Sequence, residues 1–193
     1  MLNYLKGFNF DENQIATIGV DEIYEEAKFD NTLYKFKIFD TAGEERYRGI
    51  TTNTVQISEG FFLVFSINDR TSFERISFWV DTIKDKVNLS EKVLMLIGNK
   101  IDMENERQVS HEEASNLAKI YKMKYFETSA KTGFRIDEAF HTLYEDIYNL
   151  YKRLENDDAD EDKNKKKENN NENKGNIELK KEQHIENKKK KKC

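Results

Sequence analysis

The sequence has little cysteine and no long apolar run. Its one cysteine, Cys193, excludes an internal disulfide framework and favours a reducing, cytosolic environment. The longest apolar runs, Phe61 to Phe65 and Val93 to Ile97, are far too short to span a bilayer. No secretory signal is visible at the start, and no internal repeat is found. We therefore expect any membrane contact to come through the end of the chain.

Aromatic residues are absent from the last part of the chain, since all of them lie at or before Tyr151. From Glu155 onward Asn, Lys, Glu and Asp dominate, and too few large apolar side chains remain to offset the entropy of ordering. The net charge of -5 is unevenly distributed, with an acidic block at 157–162 and a basic block at Lys188 to Lys192. These features predict a folded domain over 1–154 and a disordered charged tail over 155–193.

Strand and helix patterns alternate within residues 1–154. Nearly continuous apolar runs, typical of strands buried on both faces of a parallel sheet, occur at Gly60 to Ile67 and Val93 to Gly98. Met1 to Lys6 indicates the end of a helix that stops at Gly7. Helical periodicity is present at Ser72 to Lys86, Ser110 to Tyr121 and Ile136 to Leu154. The alternation predicts an α/β fold with a mainly parallel sheet flanked by helices.

A hairpin that ends in an acid is the first candidate site. Strands are predicted at Asp21 to Phe29 and at Leu33 to Phe39, joined by a turn at Asp30-Asn31. The second strand leads into Asp40-Thr41-Ala42-Gly43, which places a carboxylate and a backbone N–H at the rim of a sheet. Ligands of open α/β sheets bind at that rim. Taken alone, the same four residues could equally form an ordinary turn.

Two further polar stretches follow predicted strands. Asn99-Lys100-Ile101-Asp102 comes directly after Val93 to Gly98, and Thr128-Ser129-Ala130-Lys131 comes after the short strand Lys124 to Glu127. The first stretch could be a polar turn or a purine site. As a purine site, Asp102 would accept paired hydrogen bonds from the guanine N1–H and exocyclic amine, a donor edge that adenine lacks. Asn99 would bind the other edge of the ring, and the methylenes of Lys100 would cover one face.

Together with Thr17-Ile18-Gly19-Val20-Asp21, these motifs resemble a Rab-type small GTPase of the Ras superfamily, from Met1 to about Leu154. The resemblance implies a P-loop NTPase-like sheet that binds GTP or GDP with Mg²⁺ and hydrolyses GTP. Thr17 and Asp40 would hold Mg²⁺, and the Gly43 N–H would meet the γ-phosphate. The implied nucleotide-binding residues are Asp40, Thr41, Ala42, Gly43, Asn99, Lys100, Asp102, Ser129, Ala130 and Lys131. The implied effector region is Gln14, Ile15, Ala16, Thr17, Ile18, Gly19, Val20, Asp21 and Glu22. By this resemblance, γ-phosphate and Mg²⁺ order the effector region, and hydrolysis releases it.

The sequence departs from the family at four places around these motifs. Glu44 occupies the catalytic position of the usual glutamine, which removes an amide donor and adds negative charge beside phosphate. Glu22 replaces an aromatic residue, Phe39 replaces a tryptophan, and Thr54-Val55 replaces a tyrosine pair. Because those aromatics form part of the family's effector surface, its effectors do not carry over by analogy.

The family's phosphate loop, G-x-x-x-x-G-K-[ST], is not found in this sequence. Family spacing places it before Met1, together with a first central strand, so that on the order of 20 residues are missing. Without them we expect strand edges with unpaired backbone groups, low stability, and weak, base-dominated GTP binding. The missing loop and Glu44 in place of the usual glutamine both weigh against GTP hydrolysis by this chain. Three interpretations follow: a GTP switch whose sequence starts at an internal methionine, a nucleotide-independent protein-binding module, and a non-functional remnant.

The resemblance also implies partners and a location. It implies a role in vesicle trafficking, with an exchange factor, an activating protein and effectors as partners and no nucleic acid. Lys188 to Lys192 could be a solvating charge run, but their position beside Cys193 favours a prenylated anchor with electrostatic reinforcement. Cys193 lacks the three following residues of a C-a-a-X signal. We expect the cytoplasmic face of an intracellular or plasma membrane, with a cytosolic pool.

Overall fold

The computed structural model describes residues 1–11, 20–41 and 48–156, and it describes residues 48–52 by their backbone alone. The chain divides into two units, Met1–Leu150 and Tyr151–Cys193. Of the second unit, residues 151–156 are described, and they are helical. The helices are α1 (Leu2–Leu5), α2 (Arg48–Ile57), α3 (Arg70–Lys84), α4 (His111–Ile120) and α5 (136–156). The strands are β1 (Val20–Phe29), β2 (Thr32–Thr41), β3 (Gly60–Ser66), β4 (Val93–Asn99) and β5 (Lys124–Glu127).

Strands β1 and β2 form the predicted hairpin. They pair antiparallel over ten positions, from Val20 opposite Thr41 to Phe29 opposite Thr32. Asp30 and Asn31 both have positive φ, at 45° and 64°. Two residues in this conformation form the tight turn whose twist matches that of the flanking strands, and Asp and Asn tolerate it better than most residues.

Strands β3, β4 and β5 form a separate parallel sheet in that order. The strands, the parallel pairing and the flanking helices confirm the predicted α/β class. The bounds of helices α3 and α4 agree with the predicted helical patterns to within two residues. A side chain caps the first turn of each helix: Asp69 accepts from the Thr71 and Ser72 amides, and Ser110 accepts from the Glu113 amide. Helix α5 runs two residues beyond the predicted end at Leu154.

The break between the two sheets falls between β2 and β3, where the resemblance places a central strand that this sequence does not contain. One side chain of β3 is more exposed than its neighbours. Val64 is 45% exposed, whereas its neighbours Leu63 and Phe65 are buried. The expectation that this strand is covered on both faces is therefore wrong at Val64. Successive strand residues face opposite ways, and the face that holds Phe62 and Val64 is covered at Phe62 but open at Val64.

Aromatic contacts dock the hairpin on α5. Phe36 of β2 stacks on Tyr144 with ring centroids 4.2 Å apart, and Phe29 stacks on Tyr148 at 5.0 Å. The Tyr148 hydroxyl donates to the Asp30 carboxylate at 2.7 Å. Burying a large side chain of this kind stabilises the fold by about 1.5–3 kcal/mol. Burial, assisted by the charge of Glu25, raises the pKa of Tyr144.

The parallel sheet is covered by helices on both faces. One buried cluster joins Leu63 and Phe65 of β3 to Phe73, Ile76 and Val80 of α3. On the other face, Met95 and Ile97 of β4 pack with Ala139 and Leu143 of α5. Among the described residues, no helix combines the length and apolar character needed to cross a membrane.

Candidate functional site

The two predicted guanine-reading loops meet at one edge of the parallel sheet. Strands β4 and β5 are neighbours, with Gly98 in register with Glu127, so the loops that follow them emerge side by side. Backbone hydrogen bonds join the loops directly. The Ile101 N–H donates to the Thr128 carbonyl at 3.1 Å, and the Thr128 N–H donates to the Gly98 carbonyl at 2.9 Å.

Asn99 is oriented by the second loop. Its Oδ1 accepts from the Ala130 N–H at 3.0 Å and from the Thr128 hydroxyl at 3.4 Å. Among the described residues, its amide nitrogen donates to no protein acceptor. Because its acceptor end is held by protein, Asn99 keeps two N–H donors for an acceptor on a ligand, such as a purine ring nitrogen or carbonyl.

Asp102 is exposed yet fixed in orientation. Its carboxylate accepts from the Ser129 hydroxyl at 2.5 Å, and Ser129 Oγ accepts from the Thr132 N–H at 3.1 Å. Ser129 is completely buried. Asp102 therefore presents carboxylate lone pairs to solvent from a rigid support, an arrangement suited to a ligand edge that carries two donors.

Lys100 lies between these two residues in a strained backbone conformation. Its φ of 68° and ψ of 37° are in the left-handed region, which costs a residue with a Cβ roughly 1–2 kcal/mol. The hydrogen bonds of Asn99 and Ile101 on either side hold it there. Strain of this kind is concentrated at ligand-binding sites.

Phe10 is a site residue that sequence reasoning missed. The Lys131 ammonium lies 5.9 Å from the centre of its ring, and the ring is partly exposed beside the second loop. Tyr4 also lies beside this loop, since a Cβ at Gly133 would meet its ring, and its hydroxyl donates to the Asp137 carboxylate of α5 at 3.2 Å. An exposed aromatic ring at the rim of a purine site can contact the base through its face or edge. The only signal in the sequence was an aromatic residue in the polar segment after Gly7.

A partly buried ion pair links the segment after β4 to the end of β5. The Arg107 guanidinium donates to both carboxylate oxygens of Glu127, at 2.8 and 3.1 Å, and the Tyr125 hydroxyl donates to Glu127 Oε1 at 2.8 Å. Burial alone would raise the pKa of Glu127, but hydrogen bonds from Arg107 and Tyr125 outweigh it and lower that pKa. Hydrogen bonds to Glu104 and Glu127 raise the pKa of Arg107. Burial, and then the bond to Glu127, raises the pKa of Tyr125.

The hairpin carries the other described site residues. Asp40 and Thr41 end β2, opposite Asp21 and Val20. Burial lowers the pKa of the Met1 amino group, and the nearby Asp40 carboxylate opposes that shift.

Three of the four departures from the family, Glu22, Phe39 and Thr54-Val55, lie in the described residues. Glu22 pairs with Lys37 at 2.8 Å, and the Lys37 ammonium also lies 4.7 Å from the centre of the Phe39 ring. This part of the predicted effector surface is therefore charged. Val55 is buried in the core rather than exposed.

Several predicted site residues lie outside the described ranges. They are Gln14, Ile15, Ala16, Thr17, Ile18 and Gly19, then Ala42, Gly43 and Glu44, and the tail with Cys193. Within the described ranges, no group of three or more His, Cys, Asp or Glu side chains could hold a metal ion. Of the predicted magnesium ligands, Asp40 alone is described. The structure thus brings Asn99, Asp102, Ser129 and Ala130 together at one edge of the parallel sheet.

Comparison with known proteins identifies the family. The model of the Ras family matches residues 1–149. Rab-13 of Rattus norvegicus is 40% identical over 139 residues, covering 72% of this chain and 68% of that protein. Rab-8B of Homo sapiens is 40% identical over 148 residues, covering 77% and 71%. Rab-39A of Mus musculus is 45% identical over 121 residues, covering 63% and 56%. Proteins of this family generally bind GTP and GDP with Mg²⁺. The chain therefore belongs to the Ras family and is a Rab-type small GTPase.

Proposed function

We propose that this chain acts in vesicle trafficking as a guanine-nucleotide-dependent switch, with GTP and GDP as ligands. The supporting observation is the pair formed by Asn99 and Asp102 at the edge of the parallel sheet. Asn99 offers two donors, and Asp102 offers a carboxylate held by Ser129. Guanine carries acceptors on one edge and adjacent donors on the other, so it fits both side chains at once.

The phosphate side of the proposed site depends on Asp40 and on residues outside the described ranges. Thr17 and Asp40 would hold Mg²⁺, which neutralises phosphate charge when bound. Gly43 would donate its N–H to the γ-phosphate, and Glu44 would accept from the attacking water. Loss of these contacts on hydrolysis would release residues 14–22, which effectors recognise in their ordered form.

The present sequence should bind nucleotide mainly through the base. It contains no G-x-x-x-x-G-K-[ST] loop, whose lysine and backbone N–H groups supply charge-assisted contacts to phosphate. If three such contacts at roughly 2 kcal/mol each are lacking, affinity is weaker by about four orders of magnitude. Tight Mg²⁺-dependent binding and hydrolysis are therefore proposed for a chain that carries this loop.

Titration of fluorescent GDP tests the proposal. The present chain is compared with a fusion that adds a strand and a G-x-x-x-x-G-K-[ST] loop before Met1, and the control fusion has alanine for the loop lysine. We expect weak binding by the present chain, tight Mg²⁺-dependent binding by the fusion, and weak binding by the control. Absence of saturable binding in the fusion would overturn the proposed function. Equally tight binding without the loop would mean that another segment holds the phosphates.

A nucleotide-independent docking module is the second candidate. The hairpin favours it, because β1 and β2 pair over their full length and carry the charged surface formed by Glu22 and Lys37. Such a module would capture its partner equally well with GDP, with a GTP analogue and without nucleotide. A switch would capture its partner preferentially with the GTP analogue.

We also propose a lipid anchor at Cys193 that is reinforced by Lys188 to Lys192. One lipid chain binds membranes only marginally, and each lysine near an anionic leaflet adds about 1 kcal/mol. The two signals together would hold the protein on the cytoplasmic face of a membrane, where its exchange factor, activating protein and effectors would act.

A further inference from the structure

Arg107 links the segment after β4, which carries Asp102, to the end of β5, where the second predicted guanine-reading loop begins. It directly follows the short 3-10 helix Ile101–Glu106, which is kinked at Met103 and carries Asp102 before the kink. Its backbone N–H donates to the Glu104 carbonyl at 3.2 Å, which closes that helix. Arg107 is therefore fixed to the same short segment as Asp102, on the other side of the kink.

Glu127 is the partner of Arg107 on the other loop. It is the last residue of β5, and Thr128, Ser129 and Ala130 follow it directly. Glu127 is buried, and it accepts both branches of the Arg107 guanidinium. A two-point contact fixes angle as well as distance. The ion pair thus fixes the distance and angle between the loop that carries Asp102 and the loop that carries Ser129 and Ala130.

The surroundings of the pair leave little freedom to either side chain. Arg107 also donates to the Glu104 carboxylate and to the Val109 carbonyl at 3.0 Å. The Tyr125 hydroxyl donates to Glu127. It lies close to Gly98, since a Cβ at Gly98 would be 2.8 Å from this hydroxyl. Every branch of the guanidinium is engaged, and a lysine could not reproduce this planar set of donors.

We infer that Arg107 is a positioning residue for base recognition, which sets the spacing between Asp102 and the Asn99–Ala130 contact without touching the base. Guanine is then read correctly only while Arg107 bridges Glu104 and Glu127. This inference rests on the proposed function for its effect on nucleotide binding. Its effect on loop geometry holds in the nucleotide-free chain as well.

Amide hydrogen exchange in the nucleotide-free, full chain tests the loop geometry. We compare Arg107→Ala and Arg107→Lys with Arg70→Ala, which breaks the exposed pair of Arg70 with Glu113 on α3 and α4. In both Arg107 variants, exchange at the Ala130 and Ile101 amides should be about tenfold faster, as expected when one such hydrogen bond is weakened. The slowest amides of β3 and β4 should keep their wild-type rates. Unchanged exchange at Ala130, or equal acceleration throughout the sheet, would overturn the inference.

Base selectivity tests the functional consequence. IDP lacks the exocyclic amine whose hydrogen bond Asp102 is placed to accept. The ratio of GDP affinity to IDP affinity therefore measures how well Asp102 is positioned. That ratio should fall by about tenfold in Arg107→Ala and Arg107→Lys and stay unchanged in Arg70→Ala. If both affinities fall equally, Arg107 is merely structural. If neither the present chain nor the fusion that carries the phosphate loop binds either nucleotide, the proposed function fails, and the exchange measurement still decides the positioning role.

Discussion

The carboxylate of Asp102 and the hydroxyl of Ser129 are 2.5 Å apart, although they belong to loops that follow different strands. Ser129 is buried and receives the Thr132 N–H, so its hydroxyl hydrogen is directed at Asp102. One carboxylate is thereby held in a single orientation at the surface. Guanine recognition in the proposed function depends on this orientation.

Replacing the Asp102 carboxylate by an amide should change which base is preferred. Asp102→Asn keeps an acceptor for Ser129 but presents an N–H donor where guanine presents its own amine. We expect GDP affinity to fall by about tenfold or more, since a charge-assisted hydrogen bond is lost. Xanthosine diphosphate, which has a carbonyl in place of that amine, should bind better to the variant than to the wild type. Competition titrations measure both. The control, Glu106→Gln, removes an exposed carboxylate from the same 3-10 helix, and an equal loss there would contradict the assignment.

Gly133 should not tolerate a side chain. Its φ is 79°, and a Cβ would lie 2.3 Å from the Tyr4 ring. Gly133→Ala should lower the free energy of unfolding by about 1–2 kcal/mol from backbone strain, and further through displacement of Tyr4. Gly7→Ala is the matched control, because φ there is 73° with no atom within 4 Å of a Cβ. Urea denaturation of both variants, and of Gly133→Ala combined with Tyr4→Ala, separates strain from clash. Equal losses in the two single variants would show that Tyr4 does not constrain Gly133.

The sequence pattern predicted those elements that depend on interactions between residues close together in the chain. Asp30 and Asn31 adopt positive φ readily, so the turn and the register of β1 with β2 follow from the sequence. The grouping of Asn99 with Ala130 came from the family resemblance, because periodicity does not give the order of strands in a sheet. The structure adds that β4 and β5 are neighbours, so that both strands end at the same edge.

Contacts that depend on tertiary packing were not predictable in the same way. Arg107 lies in the polar stretch from Met103 to Gln108 and looks like one more solvated charge. Its partner Glu127 is 20 residues away. Phe10 likewise meets Lys131 only through the path of the chain after α1. Val64 was expected to be buried because its strand is apolar. It is exposed because no element that the structure describes fully covers this part of the sheet face.

Glu44 should limit hydrolysis in a chain that carries the phosphate loop before Met1. A carboxylate can accept from the attacking water but cannot donate to the γ-phosphate, so Glu44→Gln should raise the rate stimulated by an activating protein, by about tenfold or more. Phosphate release under single-turnover conditions measures this. Glu45→Gln makes the same change one residue later and should have no effect. An unchanged stimulated rate in Glu44→Gln would mean that Glu44 is not at the chemistry.

Cys193 should determine membrane association. Cys193→Ser removes the proposed lipid site, and the lysine block alone should bind only weakly at physiological ionic strength. Cell fractionation should show the variant shifted to the soluble pool. Replacing Lys188 to Lys192 with glutamine, with Cys193 kept, should cause a partial shift. Unchanged membrane association of Cys193→Ser would remove the anchor from the proposed function.

The buried Glu127 should make stability depend on pH in the acid range. Its pKa in the folded chain lies below the ordinary value of 4.5 because Arg107 and Tyr125 donate to its carboxylate and outweigh its burial. Between the two pKa values the unfolded chain binds more protons than the folded chain, so the free energy of unfolding rises with pH there. This stabilisation is fully present above the unfolded pKa and is lost as pH falls through the folded pKa. Glu127→Gln cannot titrate, and at neutral pH it should be less stable than the wild type by on the order of 2 kcal/mol.

Urea denaturation at a series of pH values from about 7 to about 3 measures the difference. The gap between the wild type and Glu127→Gln should be constant above about pH 5 and should narrow steadily below it, because Glu104 is protonated in both proteins whereas only the wild type has a Glu127 carboxylate to lose. Glu112→Gln, an exposed carboxylate on α4, is the control and should follow the wild type throughout. A gap of the same size at every pH would mean that Glu127 contributes through packing rather than through its charge, and that the ion pair with Arg107 does not hold the two loops together.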